Sequence, residues 1–224
     1  MKVALIFTGI SYGHGRDFNH CFPNIQETLI SPLLEKHEVS IFLCTYENEK
    51  KKDLIELYHP VAYKTIPFID SHQVGTYIQS MENIKNKDFD FVFSTRFDIH
   101  FNKRIDQINI NFKKFNVLFP EKGWYNKLKW WPIWRKIKYL HRVKLPYIAR
   151  YTTDNFFAFP YAMLDEFILV LKEELMYPTR KGLMDMHGVF NKLRNRVGEE
   201  RVNIVSQEPE VSDVNSFYFL CRKR

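Results

Sequence analysis

Cysteine is scarce in this sequence of 224 residues, and the spacing of the three that occur argues against the usual cysteine-based sites. Cys21, Cys44 and Cys221 form neither a C-x-x-C pair nor a zinc-binding pattern. Because they are odd in number and far apart, we expect buried or free thiols in a reducing compartment, and therefore a cytoplasmic protein.

Long apolar runs are missing as well. No stretch of about 18 apolar residues occurs, so we expect no helix that spans a membrane. The N-terminal segment MKVALIFTGISYGHGRD has only a short apolar run and no small-residue cleavage site after it. This favours a first β-strand over a signal peptide.

Glycine-rich phosphate loops are also absent, and the sequence has only 8 glycines. It contains neither G-x-G-x-x-G nor G-x-x-x-x-G-K-[ST], so it lacks the fingerprints of dinucleotide-binding proteins and of P-loop ATPases and GTPases. No glycine-rich loop with a lysine follows the first predicted strand, which argues against a nucleotidyltransferase.

The sequence is rich in hydrophobic and aromatic residues, at 45% and 16%, which is enough for a substantial core. Its periodicity predicts strands that alternate with helices, and therefore an α/β fold with a mostly parallel central sheet flanked by helices. We expect one domain over residues 1–224, with a nucleotide-binding half at 1–101 and an acceptor-side half at 102–224. The predicted strands are 2–8, 39–44, 61–66, 89–101, 117–119, 155–159, 202–206 and 216–221. The predicted helices are 22–36, which Pro32 should kink or split in two, 71–87, 160–175 and 183–196.

The net charge of +7 comes from one segment. Residues 122–150 hold nine Lys and Arg, no acid and all four tryptophans. Three functions fit this composition: a packed helix that serves as a lid over an acceptor, a surface that binds anionic membrane, and a nucleic-acid surface. Pro132 interrupts the long amphipathic helix that a membrane surface would use. We therefore place the lid first and peripheral membrane contact second, and expect no nucleic-acid partner.

The segment DFDFVFSTRFDIHF, residues 88–101, alternates between apolar and polar positions, as a half-exposed strand does. Asp88 and Asp90 lie where this strand begins, away from the edge at which α/β sheets bind ligands. Arg96 and Asp98 lie at its carboxyl end, at the favoured edge. A carboxylate suits Mg²⁺ or Mn²⁺ there, and a guanidinium suits a phosphate.

The loop after the first strand has a similar character. Thr8, Gly9, His14, Gly15 and Arg16 lie between the first strand and the first helix, where α/β proteins commonly bind phosphates or nucleotides. An ordinary polar connection explains the same residues equally well.

Taken in order, the G-x5-G-R loop, VSIFLCTY, FDFVFSTRFDIHF and TTDNFFAFP resemble small glycosyltransferases of the GT-A fold. The sequence is similar in particular to bacterial and large-virus polysaccharide-type enzymes in which the Asp-x-Asp motif has become Arg-x-Asp. The resemblance covers about residues 1–159 and extends to the predicted helix around His187. Its most specific pieces are TRFD and TDNFFAF.

This resemblance implies an enzyme that transfers a sugar from a nucleoside-diphosphate sugar to a hydroxyl of a glycan acceptor. Asp98 and His187 would hold the divalent metal, Mn²⁺ or Mg²⁺. Arg96, in place of the first acid of the motif, would neutralise part of the diphosphate charge, which leaves the need for a metal open.

By the same resemblance, Thr8, Gly9 and Arg16 would face the nucleotide. Asp154 would act near the acceptor, either as the general base that deprotonates its hydroxyl or as a group that orients it.

Other interpretations stay open for several of these residues. Asp154 also suits a turn before a strand, and His187 also suits an apolar helix face. His100, two residues beyond Asp98, is a rival metal ligand. The competing function is a non-catalytic protein that binds anionic membrane or nucleic acid through residues 122–150.

Overall fold

The computed structural model describes residues 1–67, 73–117, 156–178, 186–205 and 218–220, without the side chains of His187, Asn191 and residues 218–220. Two predictions fall outside this part of the chain: the acceptor-side role of Asp154, and the function of the basic segment 122–150.

Eleven strands and six α-helices make up the described part of the chain. The strands are β1 (Lys2–Gly9), β2 (Tyr12–Gly13), β3 (Arg16–Asp17), β4 (Glu38–Tyr46), β5 (Ala62–Ile66), β6 (Phe91–Arg96), β7 (Ile99–Phe101), β8 (Phe115–Val117), β9 (Phe156–Pro160), β10 (Val202–Ile204) and β11 (Tyr218–Leu220). The helices are α1 (Phe18–Ile25), α2 (Ser31–Leu34), α3 (Lys51–Tyr58), α4 (Gln73–Glu82), α5 (Leu164–Met176) and α6 (Met186–Val197). None of the helices described is long and apolar enough to cross a membrane.

Seven of the strands form one mostly parallel sheet in the order β10-β8-β9-β6-β1-β4-β5. Strand β9 is antiparallel to both of its neighbours, whereas β6, β1, β4 and β5 all run in parallel. This confirms the predicted α/β class with a central, mostly parallel sheet flanked by helices. Strands from both halves of the chain belong to the same sheet.

Helices cover both faces of the sheet, and this explains why β1 is a continuous apolar run. On one face Val3, Leu5 and Phe7 pack in a core with α1, α2 and α3. On the other face Ala4 and Ile6 pack in a core with α4, α5 and α6. All five side chains are fully buried, so β1 is fixed from both sides.

The chain changes direction across the sheet at β1. It runs outward from β1 to β4 and β5, and then α4 returns over the sheet so that β6 pairs with the other side of β1. The connections that follow β1 and β6 therefore leave in opposite directions. Open α/β sheets commonly bind ligands in a crevice outside the carboxyl ends of the strands at such a switch point, and we refer to this region at the ends of β1 and β6 as the crevice.

The prediction of a single strand over residues 89–101 is wrong, and so is the prediction that one face of it is exposed to solvent. It is divided into β6 and β7, with a turn at Phe97 and Asp98 between them. Because helices cover both faces, Val92 and Ser94 on the supposedly solvated face are buried. Alternation in the sequence does not distinguish an exposed polar face from a buried one.

Asp88 and Asp90 lie at the amino end of β6, as predicted, and therefore away from the crevice. The Asp88 carboxylate accepts a hydrogen bond from Lys2 Nζ at 2.5 Å, and that of Asp90 accepts one from the Lys2 backbone N–H at 2.7 Å. Their role is to join the start of β6 to the start of β1.

The first helical segment begins earlier than predicted, at Phe18. The Asp17 carboxylate caps it by accepting the N–H of Asn19 at 3.0 Å. A π-helical stretch, Gln26–Ile30, separates α1 from α2, and Pro32 occupies the first turn of α2, where a missing N–H is tolerated. The backbone keeps right-handed helical angles at Ile30 and Ser31, so the chain is not split in two at Pro32, and the kink stays a prediction. Cys21 and Cys44 are buried free thiols, as expected.

An aromatic cluster lies beneath the crevice. The Tyr58 ring packs against Phe7 and Phe22 at 4.8 Å and against Phe97 at 5.8 Å. Its hydroxyl is buried and has no hydrogen-bond partner in the part of the chain that the structure describes, and burial raises the pKa of this phenol well above its ordinary value.

We expect Tyr58→Phe to stabilise the protein by about 1 kcal/mol, because it removes an unsatisfied hydroxyl and keeps the ring. Urea unfolding monitored by circular dichroism measures the change. The matched control is Tyr46→Phe, since the Tyr46 hydroxyl lies 2.7 Å from Thr76 Oγ1 and its loss should cost about 1 kcal/mol. Equal losses in both variants would show that the Tyr58 hydroxyl has a partner, such as a buried water.

Candidate active site

The ends of β1 and β6 bring together the two groups of residues that the sequence analysis selected. Thr8 pairs with Arg96 across these parallel strands. The loop after Gly9 and the turn after Arg96 therefore start side by side at the switch point.

A tight hairpin fixes the position of Arg16. Strands β2 and β3 pair so that Tyr12 is opposite Asp17 and Gly13 is opposite Arg16. The two-residue turn between them, His14–Gly15, has φ values of 51° and 75°. Two consecutive positive φ values match the twist of a two-residue hairpin. Since Asp17 then caps α1, Arg16 is fixed between a rigid turn and the start of a helix.

Arg16 and Arg96 hold the Asp98 carboxylate between them. Arg96 donates from Nε to Oδ1 and from Nη2 to Oδ2, both at 2.8 Å, and Arg16 donates from Nε to Oδ2 at 2.8 Å. We refer to these three residues as the Arg16–Asp98–Arg96 cluster. The Asp98 side chain is 2% exposed, and those of Arg16 and Arg96 are 16% and 15% exposed.

The two guanidinium groups keep the buried carboxylate ionised. Burial alone would raise the pKa of Asp98, but the charges and hydrogen bonds of Arg96 and Arg16 outweigh it and lower the pKa below its ordinary value. With two cations and one anion, the cluster carries a net charge of +1. Arg16 also donates from Nη1 to the His14 carbonyl at 3.5 Å, and its Nη2 has no partner among the described residues.

Phe97 anchors the turn that carries Arg96 and Asp98. Its ring is fully buried and lies 5.7 Å from that of Phe7 and 5.8 Å from that of Tyr58. The aromatic core thus fixes the backbone between the two charged residues, so their bidentate contact does not depend on a mobile loop.

A layer of buried hydroxyl groups lies at the same edge of the sheet. Ser80 Oγ donates to Thr8 Oγ1 at 3.0 Å, and Ser11 Oγ lies 2.8 Å from Thr45 Oγ1. Thr8 is 1% exposed, so its hydroxyl supports the loop from below instead of lining the crevice. The sequence analysis did not select Ser11, Thr45 or Ser80. The one feature of the sequence that could have indicated them is that each is a small hydroxyl residue at or near the end of an apolar segment.

Gly9 borders open space. Its φ is +97°, a conformation that favours glycine, and a Cβ built on it would meet no atom of the described residues within 4 Å. The backbone conformation therefore favours glycine here, and the described residues leave space beside it.

The described residues do not fit a divalent metal on Asp98. Both carboxylate oxygens already accept N–H groups from arginine, and a divalent ion there would adjoin two positive charges. Among the residues that the structure describes, no three His, Cys, Asp or Glu side chains group together as metal ligands. His187 lies in the first turn of α6 and its side chain is not described. The metal site therefore stays a prediction.

His100, the rival ligand, belongs to β7. Its Nε2 lies 3.3 Å from Asn24 Nδ2, and burial lowers its pKa. The same Asn24 side chain binds both the N–H and the carbonyl of Phe101, at 2.7 and 2.9 Å. This contact ties α1 to β7.

No protein-family model matches this chain, and no curated protein matches it. A functional assignment therefore depends on the geometry of the crevice together with the sequence motifs.

We expect Asp98→Ala to destabilise the protein by about 3 kcal/mol at neutral pH, because it removes the carboxylate that two mostly buried guanidinium groups both contact. Urea unfolding measures the loss. Asp106→Ala is the matched control: Asp106 also pairs with two cations, Lys36 and Arg104, but at the surface, where solvent screens the charges. A loss in Asp98→Ala no larger than in the control would contradict the role of the cluster.

The contribution of Asp98 should depend on pH in a definite direction. Its folded pKa is below the ordinary value of 3.8, so the ionised form stabilises the folded state. That stabilisation is present above pH 3.8 and is lost as the pH falls through the folded pKa. The difference in unfolding free energy between the native protein and Asp98→Asn should therefore stay constant above about pH 5 and shrink as the pH falls below 3.8 and through the folded pKa. A difference that grows on acidification would contradict this account.

Proposed function

We propose that this protein is a glycosyltransferase that moves a sugar from a nucleoside-diphosphate sugar to a hydroxyl of a glycan acceptor. The donor would bind in the crevice between the carboxyl ends of β1 and β6. The observation that carries this proposal is the Arg16–Asp98–Arg96 cluster, a preorganised cationic site at the switch point of a mostly parallel sheet.

The chemistry of the cluster suits a diphosphate. Guanidinium groups present planar, paired N–H donors that match phosphate oxygens, and they stay charged at any physiological pH. Asp98 holds both guanidiniums, so little side-chain freedom is lost when an anion binds. The space beside Gly9 would take the part of the donor that lies next to the phosphates.

The same groups would act in the reaction. As the bond from the anomeric carbon to the diphosphate breaks, negative charge develops on the leaving group, and fixed cations beside it stabilise that transition state. The acceptor oxygen forms the new bond to the anomeric carbon and gives its proton to a base. We assign that proton to Asp154, from the resemblance of the TDNFFAF segment.

Other anion-binding functions fit less well. The sequence has no P-loop, so hydrolysis of ATP or GTP is not supported. The competing hypothesis, binding of anionic membranes by residues 122–150, involves none of the residues of the crevice. Variants at Arg16 therefore separate the two functions.

Thermal unfolding in the presence of nucleoside diphosphates and their sugars tests the proposal. We expect the nucleoside diphosphate of one particular base to raise the melting temperature. A ligand present at about 100 times its Kd adds about 2.7 kcal/mol to the free energy of unfolding. At the same ligand concentration Arg16→Gln should reduce the shift to about half or less, because a Kd weakened tenfold lowers the added stability to about 1.4 kcal/mol. Arg104→Gln is the control, because Arg104 pairs with Asp106 and Glu35 outside the crevice and its loss should leave the shift intact.

No shift with any nucleotide would contradict the proposal. If the protein then bound anionic vesicles in a salt-sensitive manner, and Arg16→Gln bound them equally well, the membrane hypothesis would replace it.

A further inference from the structure

We infer that the donor site neutralises the diphosphate with Arg16 and Arg96 themselves, and that nucleotide binding at this site needs no divalent cation. This inference rests on the proposed function and concerns the same crevice. It departs from the expectation that Asp98 is a metal ligand.

The first argument is the occupancy of the Asp98 carboxylate. A carboxylate has about four acceptor positions, and arginine N–H groups take three of them at 2.8 Å. A hard divalent cation needs a direct oxygen contact at about 2.0–2.2 Å. To make one, the ion would have to displace a guanidinium or approach the carboxylate beside two positive charges.

The second argument is the charge that the site presents. One carboxylate and two guanidiniums sum to +1, the same net charge as one carboxylate with a divalent ion. Arg16 and Arg96 therefore already supply, at the same place, the charge that a metal on Asp98 would add. A divalent ion bound in addition would raise the net charge of the cluster to +3, and it would have to approach two guanidinium groups that already contact the carboxylate.

The third argument is preorganisation. Arg16 and Arg96 reach Asp98 from different elements, the β2–β3 hairpin and the end of β6, and each position is independently fixed. The His14–Gly15 turn fixes one arginine and the buried Phe97 ring fixes the other. A pair of cations assembled in this way from two rigid elements is a built anion site.

Isothermal titration of the full chain with uridine, guanosine, adenosine and cytidine diphosphates, in excess EDTA and again with Mn²⁺ or Mg²⁺, tests this inference. We expect the diphosphate that binds to do so in EDTA, with a Kd that changes less than about twofold on adding metal. Arg16→Gln and Arg96→Gln should each weaken binding in EDTA by about tenfold or more. Arg104→Gln should leave the Kd unchanged.

Asp98→Asn separates the two roles of the carboxylate. If Asp98 positions the arginines, this variant weakens binding in EDTA. If Asp98 is a metal ligand, the variant lowers only the metal-dependent part of binding. Each variant is compared at a temperature below its own melting transition, and Arg16→Lys, which keeps the charge, serves where Arg16→Gln does not fold.

The outcomes are distinct. Binding that appears only with Mn²⁺ or Mg²⁺ would overturn the inference and leave the proposed function standing. Binding in EDTA that is insensitive to Arg16→Gln and Arg96→Gln would also overturn it. A complete absence of binding under every condition would contradict the proposed function itself.

Discussion

The ion pairs between one buried carboxylate and two arginines are the interaction on which the rest of the crevice depends. Asp98 is 2% exposed, and an isolated charge at that depth would be strongly unfavourable. Arg16 and Arg96 make its burial possible, and Asp98 in turn holds two like charges close together. Removing Asp98 takes away the carboxylate that both guanidinium groups contact, and removing either arginine takes away one of the two charges that offset the burial of Asp98, so we expect the three residues to be energetically coupled. Its residual positive charge then determines what kind of ligand the site attracts.

The fold supplies what the cluster needs. Strand β1 is buried on both faces, so its carboxyl end is a rigid starting point for the loop that leads to Arg16. The return of α4 across the sheet places β6 beside β1, and Arg96 therefore pairs in register with Thr8. Below the crevice, the rings of Phe7, Tyr58 and Phe97 pack against one another. Together with the layer of buried hydroxyl groups, they support the residues of the cluster from beneath. The site is thus assembled by packing before any ligand arrives, as electrostatic stabilisation of a leaving group requires.

Local pattern was enough to predict much of the fold and little of the site. Strands β1, β4 and β5 follow from short apolar runs, and α5 from its period. The prediction of a single strand over residues 89–101 was wrong. Both faces of β6 are buried, so the alternation of residue types does not show where the strand ends, and it gave no sign of the turn at Phe97. The residues of the cluster were all selected from the sequence, but as separate candidates: Asp98 as a metal ligand, and Arg16 and Arg96 as phosphate contacts. Arg16 pairs with Asp98, which is 82 residues away in the sequence. This contact depends on the tertiary structure, and the local spacing of residues does not predict it.

A crystal structure of the protein with its nucleoside diphosphate tests the central claim most directly. The account requires the diphosphate oxygens to lie within about 3 Å of terminal nitrogens of Arg16 and Arg96, with Asp98 still between the two guanidinium groups. A nucleotide bound away from the ends of β1 and β6 would contradict the assignment of the donor site. A cation coordinated directly by Asp98, with either arginine displaced, would contradict the claim that the arginines themselves neutralise the diphosphate.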